Sequence, residues 1–134
     1  MRRLPKPTWA YDGFNTLTFI VATSEEELKS LCPREGFYPD IDLDSNILVA
    51  VHRGLCKSGG YSVRINEIRV DGDEVIVRVL LTDPSPEEVV TLVMTCPVDI
   101  VEVPKKEIGL RGEVKFRLVD QRGLQLGQRI VRLG

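Results

Sequence analysis

The stretch GLCKSGGYSVRI, residues 54–65, decides how the chain is read. Lys57, Ser58, Gly59 and Gly60 have the composition of a phosphate-binding loop. Such a loop needs glycine directly before Lys-Ser/Thr and a helix directly after, whose amide groups hold the phosphate. Here Cys56 precedes Lys57, and Tyr61, Val63 and Ile65 alternate with polar residues at the period of a strand. The paired glycines therefore read as backbone that turns sharply and feeds a strand, with Tyr61 at its entry into the core. The stretch holds no nucleotide.

Working outward, NILVAVHRG (46–54) is apolar on both alternations, which predicts a central strand covered on both faces. Farther upstream, TLTFIVA (16–22) places Leu17, Phe19 and Val21 on one side of a strand. TSEEELKSLC (23–32) then changes period. Thr23 and Glu26 stand at capping-box spacing, and Leu28, Leu31 and Cys32 fall at i, i+3, i+4, which predicts a short helix near 24–32. Downstream, the apolar phase slips between Ile65 and Ile68, predicting a β-bulge near Asn66–Glu67. DGDE (71–74) predicts a hairpin turn containing Asp71–Gly72, and VIVRVLLT (75–82) is the returning strand. DPSPEE (83–88) breaks that strand with the composition of a turn of helix. VVTLVMTCPVDIVEVPK (89–105) predicts two extended segments split at Thr95–Cys96–Pro97, because the residue before proline is pushed to extended geometry. EVKFRLVD (113–120) and QRIVRL (128–133) flank QRGLQLG, a basic C-terminal hairpin within 112–134. The class that follows is mainly β (α+β). It is an antiparallel sandwich or open barrel of seven or eight strands with one short helix, in a single domain over 1–134.

Bulk properties exclude several functions. Net charge is −2 over 134 residues, which argues against a nucleic-acid binder. The charge is unevenly placed: residues 1–104 carry 10 Lys and Arg against 17 Asp and Glu, and residues 105–134 carry 8 against 3. A basic end beside an acidic body pairs with it internally or with a neighbour head to tail, or forms a solvated face. The apolar runs are strand-sized, well short of the ~20 residues of a spanning helix. The opening MRRLPKPTWAY has no apolar stretch behind its arginines, so no signal peptide is expected in the chain as given. Cytoplasmic residence and a removed leader both fit.

Asp40, Asp42 and Asp44 have calcium-loop spacing, but serine stands where the loop needs glycine and Val51 where it needs glutamate. They read as an acidic turn, and no cofactor is expected. Cys32, Cys56 and Cys96 are an odd number with no C-x-x-C, consistent with three reduced thiols or one Cys56–Cys96 disulfide. The alternative to a non-catalytic chain is a cysteine- or zinc-dependent enzyme built on His52, Cys56 and Cys96, should their loops meet at one end of the sheet.

The strand ILVAVHRG, the segment SGGYSVRINEIRVDGDEVIVRV, a proline-bearing turn and TCPVDIVEVPK together resemble the C-terminal domain of the PrcB family. The resemblance covers about 46–106, and the strand-helix segment 16–32 is similar to what often precedes this domain. The hairpin from about 108 onward has no counterpart in it. The family takes its name from a subunit of an envelope-associated subtilisin-like protease complex of spirochaetes. The resemblance implies a bacterial, non-catalytic accessory domain that helps assemble or stabilise a protein partner, with a protease as the candidate, and a secreted or envelope location. On this reading Lys57, Gly59, Gly60 and Tyr61 are binding candidates, while Gly54, Thr95 and Pro97 shape a corner. The hairpin adds Arg117, Arg129 and Arg132, and an open strand edge through which two copies could pair as a homodimer.

Overall fold

The computed structural model describes residues 1–4, 14–29, 40–90, 92 and 94–134. In chain order the elements are β1 (Arg2–Arg3), β2 (Thr18–Ala22), α1 (Glu25–Lys29), β3 (Asn46–His52), β4 (Ser62–Asp71), β5 (Glu74–Thr82), β6 (Val98–Pro104), α2 (Lys105–Ile108), β7 (Glu113–Val119) and β8 (Gln125–Arg132). They form two four-stranded sheets, ordered β1-β6-β3-β2 and β4-β5-β7-β8. The result is the sandwich rather than the open barrel. No helix among the described residues is long and apolar enough to cross a membrane.

β3 is central because both its faces are apolar and both its edges are paired, by β2 and β6. Ile47, Val49 and Val51 point into the space between the sheets, where they meet Val63 and Ile65 of β4, Val75, Val77 and Val79 of β5, and Phe116 and Leu118 of β7. Leu48 and Ala50 point the other way, into a smaller cluster with Leu4, Ala22, Leu28, Val98 and Ile100. Burying a single such Val, Leu or Ile side chain stabilises by about 1.5–3 kcal/mol. Partly exposed ion pairs such as Lys115–Glu74, 3.6 Å apart, contribute about 1 kcal/mol or less. The two apolar layers, not the surface charges, hold the fold.

Local readings hold at the bulge and at the DGDE turn and shift by one residue at the helix cap. The register of β4 on β5 slips between Ile65 and Glu67, so the bulge lies at the expected place. The hairpin turn is Gly72–Asp73, with Asp71 still paired to Glu74, because Gly72 supplies the positive φ of 64° that the two-residue loop requires. The cap of α1 is Ser24, not Thr23. Ser24 Oγ accepts from the Glu27 amide at 3.2 Å, and the Glu27 carboxylate reaches back to the hydroxyls of Thr23 and Ser24. Leu28 is buried beneath this turn, while Leu31 and Cys32 lie outside the described residues. DPSPEE forms a turn, closed by the Glu88 amide on the Ser85 carbonyl, and no helix.

The larger departure is a parallel pair. β5 and β7 run parallel, with Val75 beside Phe116 and Val77 beside Leu118. After β5 the chain crosses to the other sheet to make β6, then returns through α2 and enters β7 in the direction of β5. Short-range alternation identifies each strand but carries no information on this crossing. The basic hairpin β7–β8 is therefore half of the second sheet. A chain ending near Lys106 would strip β5 of a neighbour and bare Val75 and Val77.

A buried carboxylate clasps the sheets. Asp99 of β6, wholly buried, faces the interlayer space and accepts the Ile65 amide of β4 at 2.7 Å. Arg3 of β1 donates Nε to Asp99 at 3.1 Å and its terminal nitrogen to the Ile65 carbonyl at 2.5 Å. The two side chains take the place of a neighbouring strand for the outer edge of β4. Asp99→Ala would strand a guanidinium and an amide, so a loss of about 3 kcal/mol in urea unfolding is expected, against less than about 1 for Arg2→Ala in its exposed pair with Glu102. Equal losses would refute the clasp.

Candidate functional site

The glycine loop lies at one end of the sandwich. β3 and β6 remain paired beyond His52: the Arg53 amide donates to the Pro97 carbonyl at 2.8 Å. After an excursion at Gly54 and Leu55 the pairing resumes as an antiparallel bridge between Cys56 and Thr95, with both amides donating, at 2.7 and 2.9 Å. Thr95 Oγ1 also donates to the Ser58 carbonyl at 2.9 Å. Thr95 and Pro97 thus both take part in the hydrogen bonds at this end of the sandwich. Of the two extended segments expected over 89–105, the second is β6. The first contributes this one bridge among its described residues, and residues 91 and 93 lie outside them.

Two glycines are required by close approach. Gly54 has φ 95°, and a Cβ there would stand 2.7 Å from the Thr16 carbonyl carbon. Gly60 has φ 89°, and its Cβ would meet Pro84 and Val90 at 2.8 Å. Gly60 thereby presses the loop against the 83–90 segment, and β4 starts two residues later. The loop feeds a strand, as its period requires, and Lys57 is exposed.

The charged groups here serve the framework. Arg53 donates to the carbonyls of Ser62 (2.9 Å) and Thr82 (2.5 Å) and pairs with Asp83, which ties the start of β4 to the end of β5. Its guanidinium lies 5.1 Å from the centre of the Tyr61 ring. Tyr61 is therefore half-buried under Arg53, while Val63 and Ile65 enter the core. On the hairpin, Arg117 lies 3.3 Å from Glu74, and Arg129 donates to the Phe19 carbonyl of β2 at 2.8 Å. Arg132 is exposed, in register with Glu113.

His52, Cys56 and Cys96 do not form a metal centre: among the described residues no three His, Cys, Asp or Glu side chains converge to hold an ion. His52 is fully buried and stacks on Phe14, with ring centres 4.1 Å apart. Cys56 is a free thiol, so it forms no disulfide with Cys96. Burial pushes the Cys56 thiol above its ordinary range, with Arg53 opposing and Asp83 reinforcing the shift. A nucleophilic cysteine needs the opposite displacement. The Asp42 carboxylate accepts from the Asp44 amide and the Ser45 hydroxyl, the acidic turn expected before β3.

What this end offers is apolar surface. Leu55, Val89, Leu92 and Met94 are all exposed, Leu92 at 90% and Val89 fully. The sequence reading assigned 89–94 to a strand and so missed them. Their signal is an apolar run wedged between a proline-bearing turn and Thr95–Cys96–Pro97. Modification of Cys56 by a small thiol reagent at pH 7, located by peptide mass mapping, should be at least about tenfold slower in the native than in the urea-unfolded chain. A faster native rate would mean an activated thiol.

A search of curated proteins and a search of solved structures each returned no match. Residues 47–104 match a family described as PrcB C-terminal. The matched stretch contains β3, β4, β5 and β6, two strands of each sheet, and β1, β2, β7 and β8 complete both sheets from outside it. The match is nearly coextensive with the 46–106 resemblance and runs through the glycine loop and the Thr95–Pro97 corner, so this stretch is similar to the PrcB C-terminal family.

Proposed function

We propose that this protein is a non-catalytic accessory subunit that helps assemble or stabilise a protein partner, with a protease as the partner class suggested by the family. One observation carries the reading: the loop and the 89–94 segment, both within the matched stretch, together expose Leu55, Val89, Leu92 and Met94 at one end of the sandwich. A cluster of this kind costs solubility unless it is covered, and contact cores are apolar while their rims are polar. Lys57, Glu87 and Glu88 are exposed at its margin. Gly59, Gly60 and Tyr61 serve this surface by fixing the course of the loop.

The test is capture with a tagged chain from its native cell, comparing wild type with Val89→Glu/Leu92→Glu. The variant should keep its circular dichroism spectrum and lose the stoichiometric partner by about tenfold or more, whereas Glu87→Gln keeps it. Equal recovery by both, or no stoichiometric partner, refutes the reading.

Self-association through β8 is the second reading, favoured by Ile130, 64% exposed on this outermost strand. Gln128, Arg129 and Arg132 beside it are residues that discourage an added strand. Light scattering decides: a dimer that Ile130→Lys converts to monomer supports pairing at β8, and a wild-type monomer removes it.

A further inference from the structure

Eight cations lie in residues 105–134, and four of them are engaged. Lys115 and Arg117 pair with Glu74, Arg122 pairs with Asp120, and Arg129 is held by the Phe19 carbonyl. Lys105, Lys106, Arg111 and Arg132 have no acidic partner among the described residues. Three of these four line one cavity of about 790 Å³, at the end of the sandwich where α2 joins β6 to β7.

The walls of the cavity are built rather than incidental. Ile108 is buried in the interlayer core, which anchors the single turn of α2. Gly109 closes that turn in the left-handed region, its amide on the Lys105 carbonyl at 3.1 Å. The Lys105 amide donates to the Ser45 carbonyl at 2.9 Å, and Leu133 donates to the Gly112 carbonyl at 2.8 Å. These bonds set Lys105, Lys106 and Arg111 around a floor that includes Leu110 and Leu133. The volume is in the range of ligand sites, and the fixed backbone means that little ordering is needed on binding.

We propose that this cavity binds an acidic peptide segment of a partner protein, its carboxylates on Lys105, Lys106 and Arg111 and an apolar side chain on Leu110 and Leu133. Charge complementarity and the apolar floor both support this occupant. A compact inorganic anion would satisfy the three cations and leave the half-buried Leu110 uncovered, whereas a segment alternating acidic and apolar residues covers both, with Leu133 of the core behind it. The source of the peptide, though not the cavity, rests on the accessory-subunit reading.

The probe is a fluorescent eight-residue peptide of alternating glutamate and leucine, followed by polarisation against the full chain. Saturable binding is expected, weakened about tenfold in Arg111→Gln and abolished in Lys105→Glu/Lys106→Glu/Arg111→Glu. It should be unchanged in Arg132→Gln, whose cation lies outside the cavity, and in Val89→Glu/Leu92→Glu, at the other surface. A peptide with serine in place of leucine should bind several-fold more weakly. The proposal is overturned by absence of saturable binding, by equal binding of Arg111→Gln, by equal binding of the serine peptide, or by displacement at equimolar inorganic phosphate. If the native partner is lost from Val89→Glu/Leu92→Glu but retained by the triple variant with no peptide binding, the cavity reading fails while the accessory-subunit reading stands.

Discussion

A carboxylate with no exposure to water, Asp99, sits between two apolar sheets, and the arrangement of the sandwich follows from how its charge is answered. An isolated ion there would be untenable, so β1 must deliver Arg3 and the edge of β4 must present the Ile65 amide. The bulge at Ile65/Glu67 lies at this contact and bends β4 beside β6. Once β4 is held there, β5, β7 and β8 follow by pairing. The opposite margin is tied less strongly, by Arg129 of β8 on the Phe19 carbonyl of β2.

The same economy governs the family-matched stretch. Its four strands cannot make either sheet alone, because β3 needs β2 on its free edge and β5 needs β7. The flanks complete the fold, and the α2 turn that begins one of them also lines the basic cavity. The two surfaces argued to bind partners thus differ in origin and in chemistry. One is apolar and lies within the matched stretch. The other is cationic and depends on residues 105–134.

The groups with the best catalytic credentials are used for structure. His52 is stacked in the core, Arg53 joins two strands and a ring, and burial pushes the Cys56 thiol above its ordinary range.

Much of this was legible in the residues themselves, wherever the physics is local. The doubled alternation of NILVAVH could only suit a strand buried on both faces, and the phase slip at Asn66 had to be absorbed by a bulge. Gly60 before a period-two run excluded a phosphate loop. The single-residue error at the α1 cap, Ser24 for Thr23, arose because neighbouring residues of similar type compete for one geometric role. Contacts distant in sequence were not legible. The parallel β5–β7 pair, the Asp99–Arg3 clasp, the exposure of Val89, Leu92 and Met94 and the grouping of Lys105, Lys106 and Arg111 each depend on where the chain crosses between sheets. Periodicity reports which face of a strand is buried, but the neighbour of each face is decided by packing the whole chain around one core.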